Sequence, residues 1–351
     1  MRPVLVAGGA GLLGSAVCRA LLRDGGAVVA ADVMGDWGDG RSERLARADE
    51  LTALGANVAR IDLTDGGAAR ALLRGEPPEA VVNAAVFPQD GLGALPLVDA
   101  CRDHGVPFFL HLSDGALYRE AEEGARAAED EPVDPGEDGY LAQRVREEEA
   151  VRGSALPFAI LRVFPLLGPG FPPGRFPAGA LEAVVAGEEV LLPDDEPRDF
   201  VHLDDAVRSV VLALRRRPDG ETLNVGSGLA VRPSDLLQAL AVRAGKPLRL
   251  RLTGAPGRRP RVADTVRAWE RIGYAPQRGI GDALESIAAG RLAGRAPLGF
   301  PEAGPEDPRT RFRAPSREGP APAAAPREVS RRDLFGLLRR PFGPGDGDRQ
   351  R

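Results

Sequence analysis

Two cysteines, three histidines and a single lysine, Lys246, are all that 351 residues contain of those types. Cys18 and Cys101 fall in separate helical patterns, so neither a disulfide framework nor a thiolate metal cluster is expected, and both read as small buried hydrophobes. His104, His111 and His202 stand in no Cys, His and carboxylate arrangement with metal-ligand spacing, which argues against a metal site. Long apolar runs are missing too. The stretch from Met1 to Ala7 meets glycine after four apolar residues, too short for a signal peptide, and no run of ~18 uncharged apolar residues follows. A membrane span is therefore not expected, and a cytoplasmic protein is. Acidic and basic residues nearly balance, 51 against 46, so no global field would gather nucleic acid or anionic lipid. With one lysine, almost every cation is an arginine, a bias of coding composition.

What is present describes a chain that folds. Hydrophobic residues at 43% and charged residues at 28% are ordinary for a globular protein, and the length exceeds one ~150-residue core, which suggests one large domain with an elaboration, or two lobes. Glycine (44) and proline (32) are in excess, and much of that excess falls between 296 and 328, where apolar periodicity vanishes and a disordered linker is expected. Beyond it, over 329–342, Leu334, Leu337 and Leu338 share a helical face between arginines. That segment is either a disordered tail or a short amphipathic helix that docks on this chain, a partner or an anionic surface.

Before the linker, short apolar runs alternate with helical periodicity. Pro3–Ala7, Ala27–Ala31, Asn57–Ile61, Ala80–Ala85, Phe108–Leu112 and Phe158–Phe164 read as buried strands, with helices over 12–22, 43–54, 66–74, 94–104 and 140–152. The alternation predicts a parallel sheet covered on both faces.

Gly8-Gly9-Ala10-Gly11-Leu12-Leu13-Gly14 follows the first strand and opens the first helix. Gly8 can make the tight turn, Gly11 lets backbone approach a pyrophosphate, and Gly14 permits close helix–strand packing, with the helix N-terminus facing the phosphates. Asp32 closes the second strand, where a carboxylate can accept hydrogen bonds from a ribose diol and would repel a 2′-phosphate. The cofactor expected is NAD.

This Gly-x-x-Gly-x-x-Gly spacing resembles the extended branch of the short-chain dehydrogenase/reductases, the NAD-dependent epimerase/dehydratase family acting on nucleotide sugars. Asp62-Leu63-Thr64-Asp65, Asn83-Ala84-Ala85, Leu161 to Gly170, Arg198-Asp199-Phe200-Val201-His202-Leu203-Asp204-Asp205-Ala206, Leu223 to Gly228, Ala263-Asp264-Thr265 and Ile272 to Pro276 are similar to that family's strings. The likeness covers roughly residues 2 to 290. It implies a Rossmann-type, doubly wound α/β fold with a smaller C-terminal substrate lobe and a flexible C-terminal tail. Residues 1–165 would form the NAD-binding domain, to which 199–224 return, and 166–198 with 225–295 the substrate lobe. It places Gly8, Gly11, Leu12, Leu13, Gly14, Asp32, Asp62, Leu63, Ala84, Ala85, Tyr140 and Arg144 at the cofactor, and Asp114 and Arg198 at the substrate. A homodimer is a further expectation.

The catalytic residues depart from that family's pattern. Its Tyr-x-x-x-Lys pair reads Tyr140-Leu141-Ala142-Gln143-Arg144, and its Ser or Thr, four residues before Tyr118, is Asp114. A cation four residues on shares the tyrosine's helix face and lowers its pKa. Arginine keeps the charge but not the compact head. An ionised Asp114 would oppose tyrosinate formation, an Asp114–Arg144 pair would cancel both charges, and a protonated Asp114 could donate to a substrate oxygen. Ser113 should point to the other face of its strand. Pro165 replaces a substrate-facing asparagine, and Arg258-Arg259-Pro260-Arg261 stands where Arg-Pro-Gly-Asp is usual. Arg198 either meets a diphosphate or pairs with Asp199, Asp204 or Asp205; His202 packs in its strand-to-helix turn; Glu120 to Asp138 forms a solvated loop. Three functions stay open from this sequence: an epimerase/dehydratase-type enzyme using Tyr140, Arg144 and Asp114, a catalytically silent NAD-binding sensor or scaffold, or a reductase or lyase for another natural-product intermediate.

Overall fold

The computed structural model describes residues 2–35, 40–75, 77–88, 91–123, 125–171, 176–254 and 260–292. The linker and tail helix expected over 296–342, and Arg258 and Arg259, lie outside these residues. Seven strands form one sheet: β1 (Val4–Ala7), β2 (Val28–Asp32), β3 (Asn57–Arg60), β4 (Ala80–Asn83), β5 (Phe109–Asp114), β6 (Phe158–Val163) and β7 (Glu221–Val225). Among the described residues ten α-helices accompany them: α1 (Leu12–Arg23), α2 (Arg41–Ala53), α3 (Gly66–Leu72), α4 (Leu95–Asp103), α5 (Gly139–Arg152), α6 (Ala178–Ala186), α7 (Leu203–Arg216), α8 (Pro233–Ala244), α9 (Val266–Ile272) and α10 (Ile280–Leu292).

Every pairing in the sheet is parallel and the spatial order is β7-β6-β5-β4-β1-β2-β3. Strand side chains alternate between faces, and both faces are buried here. Val4, Val6, Val82, Leu110 and Leu161 enter one core with Val17 of α1 and Val207 and Val210 of α7. Leu5, Ala7, Val81, Phe109 and Ile160 enter the other, with Ala69 of α3, Leu97 of α4 and Val151 of α5. Each such aliphatic side chain contributes about 1.5–3 kcal/mol by leaving water. The doubly wound fold expected from the alternation is the one observed. Chain direction across the sheet reverses between β1 and β4, and a crevice opens beyond the strand ends at that switch point.

A third core gathers Leu181 and Val184 of α6, Leu236, Leu237 and Leu240 of α8, and Leu284 and Ile287 of α10. Residues 266–274 pack differently: Ala268, Ile272 and Tyr274 join the core under the sheet, next to α7. The linkage between the two regions is polar as well. Buried Asp199 accepts hydrogen bonds from the N–H groups of Ser227, Gly228 and Ala263, and Tyr274 Oη donates to the Gly226 carbonyl.

Candidate active site

The crevice at the switch point is a cleft of about 840 Å³. Its floor is the glycine turn. Gly8 has φ +73°, and a Cβ there would lie 2.7 Å from the Ala85 N and Cα atoms; a Cβ on Gly14 would lie 2.1 Å from the Gly8 carbonyl oxygen. Only glycine lets α1 and the end of β4 approach the turn this closely. Gly11 N–H donates to Gly8 O at 2.9 Å, and α1 starts behind it with no side-chain cap at Gly11. The first-turn N–H groups of α1, those of Leu12, Leu13 and Gly14, thus lie where an anion can use them. The turn fits a dinucleotide's diphosphate, since a Cβ at Gly8 or Gly14 would collide with the backbone that keeps the α1 N-terminus against the cleft.

Asp32 lines one end of the cleft and is 4% exposed. Its carboxylate accepts from Ala10 N–H at 3.2 Å and Met34 N–H at 2.9 Å, and it pairs with Arg44 Nη1 at 3.1 Å. Arg44 is a residue that sequence reading missed. Arg47, one turn along α2 from Arg44, also reaches the glycine turn, at the Ala10 carbonyl. With a guanidinium beside it, Asp32 repels a 2′-phosphate less than a lone carboxylate would. Asp62 and Leu63 line the same end, where Asp62 Oδ1 accepts from the N–H and hydroxyl of Thr64.

Ala84 and Ala85 line the cleft beside the glycine turn, and Asp114, Tyr140 and Arg144 line it as well. Asp138 caps α5 through the N–H groups of Tyr140 and Leu141, which fixes the tyrosine at the helix start. Tyr140 Oη donates to Asp114 Oδ2 at 3.1 Å, while Asp114 Oδ1 accepts from Ala116 N–H at 2.8 Å. Burial raises the Asp114 carboxyl above the usual carboxylate range. Burial pushes the Tyr140 hydroxyl up to about 12, with the Asp114 charge reinforcing the shift and Arg144 opposing it. The expected Asp114–Arg144 alternative is not the arrangement found. Arg144 donates to Glu147 Oε2 at 2.7 Å and to the Ala85 carbonyl at 3.0 Å, and its guanidinium carbon sits 5.2 Å from the Tyr140 ring centroid. Glu147 is a second missed residue. Three positions beyond Arg144 on α5, it pairs with the arginine, while burial raises its own carboxyl.

Behind these groups lies a buried polar floor. Ser113 also lines the cleft and donates to Glu148 Oε1 at 2.6 Å, and Arg162 holds both oxygens of Glu148. Against the opposing effect of burial, the bonds from Arg162 and Ser113 keep Glu148 down at about 2. His111 is fully buried 3.1 Å from the Asn83 amide, and burial lowers its pKa to about 3, so it is neutral at physiological pH. Tyr118 Oη donates to Asn224 Oδ1 at 2.6 Å.

Three readings from sequence meet different outcomes. Glu120 to Asp138 is not wholly a solvated loop. Arg126–Ala127 pairs with Val262–Ala263, which carries Glu129 to 8% exposure; there it accepts Asn224 N–H at 2.8 Å and burial pushes it up to about 7. His202 packs in its turn, its Nδ1 accepting Asp204 N–H at the start of α7. Arg198 is not in the cleft with the other site residues. It lines a neighbouring, largely apolar pocket of about 520 Å³ and pairs there with Asp194 at 2.7 Å, a partner other than the three carboxylates considered from sequence. Pro165 borders both spaces.

A wholly parallel sheet with a glycine turn and a strand-end carboxylate at its switch point defines a dinucleotide-binding α/β protein. The chain belongs to the NAD dependent epimerase/dehydratase family, whose model matches residues 4–226. It is 29% identical over 309 residues to a UDP-glucose 4-epimerase of Mycolicibacterium smegmatis, covering 80% of this chain and 95% of that one. A dTDP-glucose 4,6-dehydratase of Streptomyces griseus is 26% identical over 82% of this chain and 93% of its own length. Among solved structures, the Thermus thermophilus UDP-glucose 4-epimerase in complex with NAD is 28% identical, covering 81% of this chain and 98% of that one at a TM-score of 0.67.

Proposed function

We propose that the protein is an NAD-dependent oxidoreductase of the epimerase/dehydratase type, acting on a nucleotide sugar or a related hydroxylated metabolite through transient oxidation at a carbinol carbon. The observation that carries this reading is one cleft in which a glycine cradle and strand-end carboxylate at one end meet Tyr140, Asp114 and Arg144 at the other. In this reading Gly8, Gly11 and Gly14 with the start of α1 hold the diphosphate, Asp32 the adenosine ribose, and Asp62 with Leu63 the adenine edge. Arg144 and the Ala84–Ala85 backbone hold the second ribose. NAD, when bound, supplies a reversible hydride acceptor. Tyr140 holds the substrate oxygen and moves its proton.

Residues 1–165 with 199–224 would serve the cofactor, and 166–198 with 225–295, apart from the 266–274 stretch packed under the sheet, the substrate, whose far end would enter the pocket beside Arg198. A diphosphate there must compete with Asp194 for the guanidinium, or displace it. A homodimer, a cytoplasmic setting and a docking role for 329–342 belong to the same proposal. The relatives, named as epimerases and a dehydratase, favour an enzyme over a silent cofactor sensor. The test is to mix the NAD-loaded protein with UDP-glucose, UDP-glucuronic acid and dTDP-glucose, following NADH absorbance and product configuration. Transient NADH with an altered sugar supports the enzyme; NAD binding with no change in any sugar supports the sensor.

A further inference from the structure

Arg144 stands where a lysine would activate the tyrosine, yet its guanidinium is committed to Glu147 and the Ala85 carbonyl and lies against the Tyr140 ring. The Tyr140 hydroxyl hydrogen points instead to Asp114 Oδ2, at 3.1 Å. The other oxygen of that carboxylate is fixed by Ala116 N–H, so the acceptor cannot rotate away without losing a backbone hydrogen bond. A carboxylate in this position opposes a standing tyrosinate, because two anions would face each other at hydrogen-bond distance. The same contact suits a tyrosine that stays protonated and passes a proton onward.

We propose that Tyr140 and Asp114 form a two-step proton relay in which Asp114, acting through Tyr140, is the terminal proton acceptor during alcohol oxidation and the donor on return. This rests on the oxidoreductase reading above and deepens it. In the forward step the substrate O–H bond breaks and its proton goes to Tyr140 Oη, as the Tyr140 proton goes to Asp114 Oδ2. The carbinol would become a carbonyl by giving up its hydrogen with the C–H electron pair to the hydride acceptor that bound NAD would supply. In reverse the carbonyl carbon regains a hydride, its oxygen takes the Tyr140 proton, and Asp114 reprotonates Tyr140. The pair ends as it began, with no proton lost to solvent.

The charges facing the pair come from several elements. Asp138 caps α5 beside Tyr140, and Arg144 with Glu147 follows on that helix. His111 lies on β5 and is neutral, and the Glu148–Arg162 pair closes the floor from α5 and β6. Of these, Arg144 lowers the Asp114 carboxyl and Asp138 raises it, while the hydrogen bond from Tyr140 lowers it.

The relay therefore predicts coupled titration. Infrared difference spectra of the intact chain with NAD, taken against Asp114→Asn, isolate the Asp114 carboxyl. Its midpoint should stand above the ordinary carboxylate range and rise further, by about half a unit or more, in Tyr140→Phe. With whichever of the three nucleotide sugars is turned over, the rate should rise with pH through the Asp114 midpoint. Asp114→Asn should lose that limb and about 100-fold or more in turnover while keeping NAD affinity. An Asp114 midpoint unmoved by Tyr140→Phe overturns the relay, as does an Asp114→Asn variant that retains wild-type turnover. If no sugar reacts or NAD does not bind, the oxidoreductase reading fails by itself, and the carboxyl titration still decides whether the two groups are coupled.

Discussion

The two ends of the long cleft are built on different principles. The glycine end is made by backbone: Gly8 and Gly14 approach Ala85 and each other so closely that no side chain fits, and α1 presents its own N–H groups. The tyrosine end is made by side chains that depend on other side chains, with Tyr140 on Asp114, Arg144 on Glu147, and Ser113 and Arg162 on Glu148. A backbone-built site tolerates almost any neighbour but no Cβ. A site built from side chains can change its residues provided each buried charge keeps a partner.

That contrast can be broken first where it predicts the largest effect. Glu148→Gln should destabilise the protein by about 3–5 kcal/mol, because Arg162 is left as an uncompensated buried cation; urea unfolding measures it, and a loss under ~1 kcal/mol would show that the floor is not structural. Glu129 should reveal itself by pH. Its folded pKa of about 7 lies above the ordinary 4.5, so the stability it contributes is full below about 4.5 and falls away as pH rises through 7. Unfolding free energy compared between wild type and Glu129→Gln should shift in favour of the glutamine by up to about 3 kcal/mol between pH 4 and pH 8. His111 and Glu148, both lowered, work the other way and lose their contribution as pH falls toward 3 and 2.

At the glycine end, Gly14→Ala should cost about 1–3 kcal/mol by overpacking against the Gly8 carbonyl and should abolish the calorimetric NAD signal. A variant of full affinity would mean that the cradle is not the cofactor's. The smallest effect sharpens the ribose end. Removing the cation in Arg44→Ala should raise the preference for NAD over NADP by about tenfold, roughly 1.4 kcal/mol, read as a ratio of dissociation constants.

The same contrast explains what the sequence made legible. Apolar runs, glycine spacing and Asp32 are local patterns whose consequences are fixed by sterics and alternation, and six of the seven strands follow from them, whereas β7 is not among the runs that read as strands. Partner choice is not local in that way. Nothing in the string around Asp32 says that Arg44 will fold back onto it across the cleft, and nothing near Arg198 favours Asp194 over its three nearer or equally acidic neighbours. The burial of Glu129 depends on a strand pairing between segments 136 residues apart. Arg144 had a readable clue in Glu147, one helical turn away, since such spacing pairs opposite charges.

The most direct trial is to purify the intact chain, denature it and assay the supernatant for dinucleotide, then to titrate NAD calorimetrically into dinucleotide-free protein alongside Gly14→Ala. Stoichiometric NAD, or saturable binding that the glycine variant abolishes while remaining folded, is the result expected. A folded wild-type protein that neither carries NAD nor binds it at millimolar concentration would contradict the whole account.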